Sequence, residues 1–245
     1  MDCKVVIVTG VTSGIGYALA EELLTSGSKV IGIGRNLERV SNLIQKYPSS
    51  FIFKKFDLRF INEIEQMITD SFKAFGKFDS LVHCAGMEET LPLSLHTPDK
   101  VQAIFDLNVF STIELIRLVS KKKFSNDFGS IVLLSSVMGI LGQPGKIGYC
   151  ATKSSILGIV RASALELAKR RIRVNAISPG VIKTPMTDKL FAQLSETGVD
   201  EIVKMHPLGI GNVCDVVPLI CFLVSDSSKW ITGQNLVIDG GYSIQ

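Results

Sequence analysis

The sequence predicts a single-domain α/β fold in which a doubly wound parallel sheet of seven strands carries helices on both faces. Short runs rich in valine and isoleucine alternate along the chain with segments whose apolar residues recur at helical spacing. Most of these runs are apolar on both faces, which is typical of strands that a parallel sheet buries between two layers of helices. In such sheets, ligands bind beyond the carboxyl ends of the strands.

Each predicted element follows from its local pattern. Apolar residues at helical spacing from Ile15 to Leu24 predict the first helix, which ends at Gly27 because glycine is favoured at helix C-termini. Comparable helical patterns cover residues 62–75, 99–123, 149–170 and 215–224. The predicted strands cover residues 5–9, 29–34, 51–56, 80–85, 130–135, 173–178 and 235–239.

Residues 185–211 carry no strand signal and separate two predicted strands. A long excursion at the carboxyl end of a strand is typical of a lid or a substrate-binding loop. An ordinary pair of surface helices is the alternative. We expect a substrate-binding lid at about 185–211, within one domain that spans residues 1–245.

Composition and charge restrict the partners of this chain. Its 245 residues suffice for one sizeable core, and no break in composition marks a linker. The net charge of +3 is spread along the chain, so nucleic acid is not an expected partner. The longest apolar run, 216–224, is about half the length that spans a bilayer, so no membrane association is expected.

The cysteines indicate a reducing compartment. They form an odd set without a CxxC pair, and several lie in apolar patterns where they act as small hydrophobes. The apolar run at 5–8 is too short for a signal peptide, so we expect a cytoplasmic protein. We also expect no metal site. The five cysteines are Cys3, Cys84, Cys150, Cys214 and Cys221.

A glycine-rich turn follows the first strand and leads directly into the first helix. Glycines let the backbone turn sharply and approach a pyrophosphate, which then meets the free amides and the positive end of the helix dipole. The strand before and the helix after supply the context that a dinucleotide-binding turn requires. The candidate cofactor-binding residues here are Gly10, Thr12, Ser13, Gly14, Ile15 and Gly16.

The second and third strands bear on which dinucleotide binds. The second strand ends in Gly34, Arg35 and Asn36, without the acidic residue that usually holds the ribose hydroxyls of NAD. Because a guanidinium can grip a 2′-phosphate through two hydrogen bonds, Arg35 favours NADP(H) over NAD(H). Asp57 and its neighbour Leu58 follow the third strand as further cofactor contacts, although Asp57 is equally compatible with a turn.

The catalytic candidates are Ser136, Tyr149 and Lys153. Tyr149 and Lys153 lie four residues apart and therefore share one face of a helix. An ammonium about 4 Å from a phenol lowers its pKa by roughly three units at an effective dielectric near 20. We therefore expect Tyr149 to act as a proton donor near neutral pH, with Ser136 holding the substrate carbonyl by a hydrogen bond.

The order and spacing of these motifs resemble the short-chain dehydrogenase/reductase family, a family with a single-domain Rossmann fold. The resemblance extends from end to end of the chain. Within the family, the sequence is similar to 3-oxoacyl-[acyl-carrier-protein] reductases. The matching motifs are TGxxxGxG at 9–16, Asn108, Ser136, YxxxK at 149–153, Pro179-Gly180, and the closing segments at 232–234 and 239–241.

The resemblance implies further roles. Lys153 should bind the nicotinamide ribose, and Asn108 should hold a water that relays protons toward Lys153. Thr184 and the backbone near Ile182 should bind the nicotinamide carboxamide. Tyr149, the Ala85-Gly86 turn and the Pro179-Gly180 turn should also contact the cofactor.

Two departures from the family pattern qualify these expectations. His83-Cys84-Ala85-Gly86 stands where the family usually has Asn-Asn-Ala-Gly, so the bonds of the missing asparagine must come from elsewhere. His83 is interpreted as a structural hydrogen-bonder. The segment after Gly86 contains Glu88 and Glu89 where the acyl-carrier reductases often have basic residues, which argues against docking of an acidic carrier protein.

The expected activity is NADPH-dependent reduction of a ketone, with a 3-oxoacyl thioester as one option, to an alcohol. An NAD-linked alcohol, polyol or sugar dehydrogenase is the alternative within the enzyme class. A module that senses NADP without catalysis is the alternative outside it. The helix at 149–170 is apolar around most of its circumference, which predicts a partner subunit and, with the family resemblance, a homotetramer or homodimer.

Overall fold

Seven parallel strands form one sheet in the order β3-β2-β1-β4-β5-β6-β7 in the computed structural model, which describes residues 4–244. Cys3 lies outside the described residues. The predicted fold class and the strand count are confirmed. The strands are β1 (Val5–Thr9), β2 (Lys29–Gly34), β3 (Phe51–Lys55), β4 (Phe78–His83), β5 (Ser125–Leu134), β6 (Arg173–Pro179) and β7 (Asn235–Ile238).

The largest difference from the predicted strands is at β4 and β5. Both begin earlier than predicted, because Phe78 pairs with Ser125. The register shifts between Phe78 and Ser80, and the regular ladder resumes where Ser80 pairs with Ser130. Because residues 125–127 are polar, this early part of β5 does not belong to an apolar run in the sequence.

Nine α-helices connect and cover the strands in the described chain. They are α1 (Gly14–Thr25), α2 (Ser41–Lys46), α3 (Ile64–Phe75), α4 (Pro98–Phe105), α5 (Ser111–Val119), α6 (Ile147–Leu167), α7 (Pro185–Phe191), α8 (Glu196–Lys204) and α9 (Val213–Val224). The sequence pattern did not indicate α2, which is short and buries only Leu43. The helix predicted over 99–123 is interrupted by a π-helical turn at Asp106–Phe110.

The sheet is buried between two apolar layers. Ile7 of β1 faces the layer that contains α3, α5 and α6, whereas Val6 and Val8 face the layer that contains α1 and α9. All three side chains are fully buried. Burying one such side chain contributes roughly 1.5–3 kcal/mol, so this alternation fixes the register of the central strand.

The chain reverses its direction of winding at β1. Strand β2 lies on one side of β1 and β4 on the other, which leaves a crevice beyond the carboxyl ends of β1 and β4. This topological switch point is where open α/β sheets bind ligands. The turns after Thr9 and His83 therefore lie at the expected ligand site.

Residues 185–211 form α7 and α8, followed by a loop that is held in place at several points. The backbone N–H of Val181 donates to Nε2 of His206 at 3.1 Å. The His206 ring stacks on Tyr242 with the ring centroids 4.7 Å apart. The N–H of Leu208 donates to the carbonyl oxygen of Gly240 at 3.0 Å. The end of this segment is thus fastened to the closing residues of the described chain.

None of the helices within residues 4–244 has both the length and the apolar content that a membrane span requires.

Candidate active site

A cavity of about 710 Å³ opens at the carboxyl edge of the sheet. Its wall combines the turns after β1, β2, β3, β4, β5 and β6 with residues of α6, α7 and α8. This volume is within the range of small-molecule and cofactor sites. The predicted cofactor and catalytic residues converge on this cavity, with the exception of Asn108.

Every residue predicted to bind the cofactor lines the cavity. These residues come from five separate turns and from α6, so the fold collects them from most of the chain. They are Gly10, Thr12, Ser13, Gly14, Ile15, Gly16, Arg35, Asp57, Leu58, Ala85, Gly86, Tyr149, Lys153, Pro179, Gly180, Ile182 and Thr184.

The turn before α1 requires its glycines. Gly10 and Gly14 have φ angles of +68° and +54°, a conformation that L side chains rarely adopt. A β-carbon on Gly16 would lie 2.5 Å from the carbonyl oxygen of Gly10. The backbone itself therefore forms a close cradle at the positive end of α1, and this cradle fits the pyrophosphate of a dinucleotide.

Thr184 lies against this cradle. It is the N-cap residue of α7, and its Oγ1 accepts a hydrogen bond from the N–H of Thr187. A β-carbon on Gly14 would lie 3.1 Å from Cγ2 of Thr184. The start of α7 and the glycine turn are therefore neighbours across the cavity.

A carboxylate with two guanidinium neighbours lies at the β2 and β3 end of the cavity. Arg59 donates from its Nη2 to Oδ2 of Asp57 at 2.6 Å, and it is the main cause of the lowered pKa of Asp57. Arg35 is more distant, 4.0 Å from the same carboxylate, and its side chain is 70% exposed. Asp57 also accepts from the backbone N–H of Arg59, so it has the predicted turn role as well. Arg59 was not among the predicted site residues, although its position two residues after Asp57 is a usable signal.

Ser136 and Tyr149 meet at the opposite end. Ser136 lies two residues after the end of β5 and is the N-cap of a short 3₁₀ helix, with its Oγ accepting from the N–H of Met138 at 3.2 Å. Tyr149 lies in the first turn of α6. Both side chains line the cavity, and the side chain of Ser136 acts to lower the pKa of Tyr149.

Lys153 is one helical turn beyond Tyr149 and almost completely buried, with 6% of its surface exposed. Its Nζ lies 5.6 Å from the centroid of the Tyr149 ring. The ammonium donates to the carbonyl oxygen of Leu134 at 2.7 Å. The predicted pairing of Tyr149 and Lys153 on one helix face is therefore confirmed.

The predicted lowering of the Tyr149 pKa is wrong. Burial raises the pKa of Tyr149 to about 12, and this effect exceeds the lowering by the hydrogen bond from Ser136. Burial also lowers the pKa of Lys153 to about 8. The prediction failed because it weighed the attraction between the two groups and omitted the cost of removing each charge from water.

Asn108 lies in the π-helical turn behind the cavity wall and is buried. Its amide donates to the carbonyl oxygen of Met87 and to Oγ1 of Thr152, and its Oδ1 accepts from the N–H of Met87. A β-carbon on Gly86 would lie 3.4 Å from Oδ1 of Asn108 and 3.5 Å from Nζ of Lys153. Glycine at position 86 thus leaves open the space between Asn108 and Lys153.

His83 forms the structural hydrogen bond predicted for it. Its Nδ1 is 2.9 Å from Oγ1 of Thr9, and the same oxygen accepts from the N–H of Ala85. Burial lowers the pKa of His83 to about 3, so the ring is neutral. His83 and Thr9 together connect β1 to β4 where the family usually has an asparagine. The neighbouring Cys84 is half-buried, and desolvation raises the pKa of its thiol to about 12.

Lys146 and Glu88 belong to the site but were not among its predicted residues. Both line the cavity, and they form an ion pair within it. Lys146 is three residues before Tyr149, and this spacing on a helix was an available signal. The significance of Glu88 depends on the path of the loop after β4, which the sequence pattern did not reveal.

Comparison with known proteins agrees with this geometry. Residues 10–243 match a family model described as enoyl-(acyl carrier protein) reductase. The 3-oxoacyl-[acyl-carrier-protein] reductase FabG of Rickettsia prowazekii (strain Madrid E) is 35% identical over 240 residues, which are 97% of this chain and 96% of that protein.

Two solved structures are similar over nearly their whole length. A 4-hydroxyisoleucine dehydrogenase complexed with NADH superposes with a TM-score of 0.91 at 30% identity, and the match covers 99% of both chains. ElxO with NADP bound superposes with a TM-score of 0.87 at 30% identity, and the match covers 99% of this chain and 100% of that one.

A doubly wound sheet with this glycine cradle and cavity defines an oxidoreductase that uses a nicotinamide dinucleotide. The chain belongs to the short-chain dehydrogenase/reductase family.

Proposed function

We propose that this protein reduces the carbonyl group of a small molecule to an alcohol and prefers NADPH. The proposal rests chiefly on one arrangement: Ser136, Tyr149 and Lys153 line the same end of a cavity whose other end is the glycine cradle. When bound, the dinucleotide supplies the hydride that reduces the carbonyl carbon. The chain's own residues then have to hold the carbonyl oxygen and deliver a proton to it.

Tyr149 is the proposed proton donor. With its pKa raised to about 12, the phenol is protonated at neutral pH and ready to donate. An alkoxide is a stronger base than a phenolate, so transfer from Tyr149 to a developing alkoxide is downhill. Ser136 directs the carbonyl oxygen toward the phenol by donating its own hydroxyl hydrogen, since its Oγ acts as acceptor toward Met138.

Lys153 and Asn108 are proposed to replace the proton that Tyr149 gives up. The ammonium of Lys153 stabilises the tyrosinate, and its lowered pKa of about 8 makes it a ready proton source. The open space that Gly86 leaves between Nζ of Lys153 and Oδ1 of Asn108 supports a water-mediated relay there. We propose this relay as the path by which solvent protons reach the site.

The charges at the β2 and β3 end support the preference for NADPH. The carboxylate of Asp57 is already occupied by Arg59, with contacts as short as 2.6 Å. Arg35 lines the cavity, and its exposed guanidinium is free to reach a 2′-phosphate. NADH use is the second candidate, because the similar 4-hydroxyisoleucine dehydrogenase was solved with NADH.

Residues 185–211 are proposed to act as the substrate lid of the single domain. Apolar side chains of α7, of α8 and of the residues just after each helix line the cavity, which supports a moderately apolar substrate compartment. They are Met186, Leu190, Leu194, Ile202 and Met205.

A homotetramer, or a homodimer, is the proposed assembly. Leu165 on α6 is 81% exposed, and Ile113 on α5 is 46% exposed. Both helices pack on the same layer of the core, so their outer faces together offer an apolar surface to a partner subunit. The cytoplasm remains the proposed compartment, supported by the free thiols Cys84, Cys150, Cys214 and Cys221.

Loss of the Tyr149 hydroxyl tests the proposed function. NADPH oxidation is measured with 3-oxoacyl thioesters, diketones and keto sugars, and we expect Tyr149→Phe to lower kcat by about 10²- to 10⁴-fold. Tyr17→Phe is the matched control, because Tyr17 lies on α1 away from the cavity lining. Equal turnover by Tyr149→Phe and the wild type would overturn the assignment. Tight NADPH binding without turnover of any carbonyl would instead indicate the non-catalytic sensor.

A further inference from the structure

A buried ion pair lies in the wall of the cavity near Tyr149. The ammonium of Lys146 contacts Oε1 of Glu88, and only 5% of the Lys146 surface is exposed. The side chain of Glu88 is 13% exposed. Both residues line the cavity. The proton-donating residues described above do not use this pair, so its charges are available for another purpose.

The pair lies close to the reacting end of the cavity. Nζ of Lys146 is 5.9 Å from the centroid of the Tyr149 ring, which is nearly the same as the 5.6 Å for Nζ of Lys153. Glu88 is near enough to contribute to the raised pKa of Tyr149, after the larger effect of burial. A substrate whose carbonyl oxygen meets the Tyr149 phenol therefore binds in the same part of the cavity as Lys146.

Glu88 and Lys146 differ in how many of their possible hydrogen bonds are formed. Oε1 of Glu88 accepts from Oγ1 of Thr90 as well as from Lys146, so this carboxylate oxygen has two donors. An ammonium carries three N–H donors. Within residues 4–244, Glu88 is the one hydrogen-bond acceptor of the Lys146 ammonium. The unused hydrogen-bond donors of the pair therefore belong to the ammonium of Lys146.

The buried charges at this end of the cavity do not balance. Lys146 and Lys153 are each positive and Glu88 is negative, which leaves an excess of one positive charge. Glu201 also lines the cavity, but it is exposed on α8 and hydrated. Lys146 is moreover the N-cap residue of α6, so the positive end of a helix dipole adds to the excess. Burial makes such an excess costly unless an anion joins it.

We propose that the substrate is an oxo acid, whose carboxylate binds Lys146 while its carbonyl oxygen meets Ser136 and Tyr149. This inference rests on the proposed function and specifies its substrate class. The carboxylate balances the excess charge and occupies the remaining donors of Lys146. Because Lys146 and Tyr149 are so close, the carboxylate is only a few bonds from the carbonyl carbon.

The charge balance disfavours the other classes. A cationic substrate would add to the positive excess, and a neutral ester or thioester would leave it unchanged. The carboxylate of a free oxo acid is the group that removes it.

Matched acids and esters test the inference on the wild-type enzyme. NADPH oxidation is compared for 2-oxo-, 3-oxo- and 4-oxopentanoate and for the methyl ester of each, in which one methyl group replaces the negative charge. We expect at least one acid to exceed its ester by about tenfold or more in kcat/KM, mainly through a lower KM. Esters that are turned over as well as or better than every acid would overturn the inference and leave the proposed function intact. Failure of acids, esters and neutral ketones alike would overturn the proposed function itself.

A substitution of Lys146 tests whether this residue causes the preference for acids over esters. We expect Lys146→Met to reduce the ratio of acid to ester kcat/KM by at least about tenfold. Lys122→Met is the matched control, because it removes the same charge from an exposed position outside the cavity lining, and its ratio should equal that of the wild type. An unchanged ratio in Lys146→Met would overturn the inference.

Glu88→Gln keeps the test decisive if Lys146→Met fails to fold. This variant removes the negative charge that competes with the substrate for Lys146, so the KM for the preferred acid should fall severalfold relative to that of its ester. A fall in the acid to ester ratio would contradict the role of Lys146. NADPH binding, followed by its fluorescence, confirms that each variant retains its fold.

Discussion

The ammonium of Lys153 donates a 2.7 Å hydrogen bond to the carbonyl oxygen of Leu134, the last residue of β5. This bond joins α6 to the carboxyl edge of the sheet and holds the lysine in the buried wall of the cavity. The position fixes the ammonium beneath the phenol of Tyr149, but it also removes a charge from water. Stability should therefore depend on the protonation of this one side chain.

Burial lowers the pKa of Lys153 from 10.5 to about 8. Below pH 8 the folded and unfolded chains both carry the proton, and the folded state bears the full cost of burying the charge. Between pH 8 and 10.5 the unfolded chain binds more protons, so the contribution of Lys153 to stability rises with pH. From pH 7 to pH 10, the free energy of unfolding of the wild type should rise by about 2 to 3 kcal/mol relative to Lys153→Met.

Denaturant unfolding of both proteins at several pH values measures this difference. Subtracting the variant removes the contribution of Tyr149, whose raised pKa acts in the opposite direction above pH 10. A difference that stays constant with pH would show that Lys153 is hydrated in the folded protein.

Arg35→Ala should weaken NADPH use and leave NADH use nearly unchanged. Two charge-assisted hydrogen bonds to a 2′-phosphate are worth roughly 1.5–3 kcal/mol each, so the KM for NADPH should rise by at least tenfold. Steady-state kinetics with each cofactor measure the effect. Arg39→Ala removes the same charge from a nearby exposed position outside the cavity lining and serves as control. An equal rise in the KM for NADPH in Arg35→Ala and Arg39→Ala would point to a general effect of charge instead.

Gly16→Ala should damage the cofactor cradle. The new β-carbon would lie 2.5 Å from the carbonyl oxygen of Gly10, and both atoms belong to fixed backbone elements. Overpacking of this kind typically costs about 1–3 kcal/mol. Thermal unfolding should therefore shift to lower temperature, and NADPH should bind more weakly in a fluorescence titration. Wild-type affinity in this variant would contradict the close approach between α1 and the glycine turn.

Leu165→Arg should reduce the size of the assembly while leaving each subunit folded. The side chain is 81% exposed in the single chain, so the substitution disturbs few contacts within it. Light scattering should give a lower mass than for the wild type, with 26.7 kDa as the limit for one chain. Leu208→Arg, at a position that is 87% exposed on another part of the surface, should keep the wild-type mass. A wild type that already has the mass of one chain would refute the proposed assembly.

The sequence revealed the sheet and most of the site because both depend on local patterns. Apolar runs such as that of β1 mark buried strands, and the glycine turn and the Tyr149 to Lys153 spacing are each contained within one short segment. The carboxyl edge of a parallel sheet then brings these segments together. No knowledge of distant contacts was needed to locate the cavity.

The features that escaped prediction depend on contacts between distant segments. The pKa of Tyr149 rises because the surrounding chain excludes water, and desolvation is not visible in a motif. The pairing of Lys146 with Glu88 joins residues 58 positions apart. The π-helical turn around Asn108 interrupts a pattern that reads as one continuous helix. In each case the environment, rather than the residue type, determines the property.

The attachment of His206 to Tyr242 and of Leu208 to Gly240 gives residues 185–211 one anchored end. A bulkier substrate can then gain room only where the segment is less constrained, by outward displacement of α7 and α8. The cavity should accordingly widen on the side formed by α7 and α8. Substrate size selection would then depend on the mouth beside α7 and α8, whereas the wall near Val181 keeps its shape.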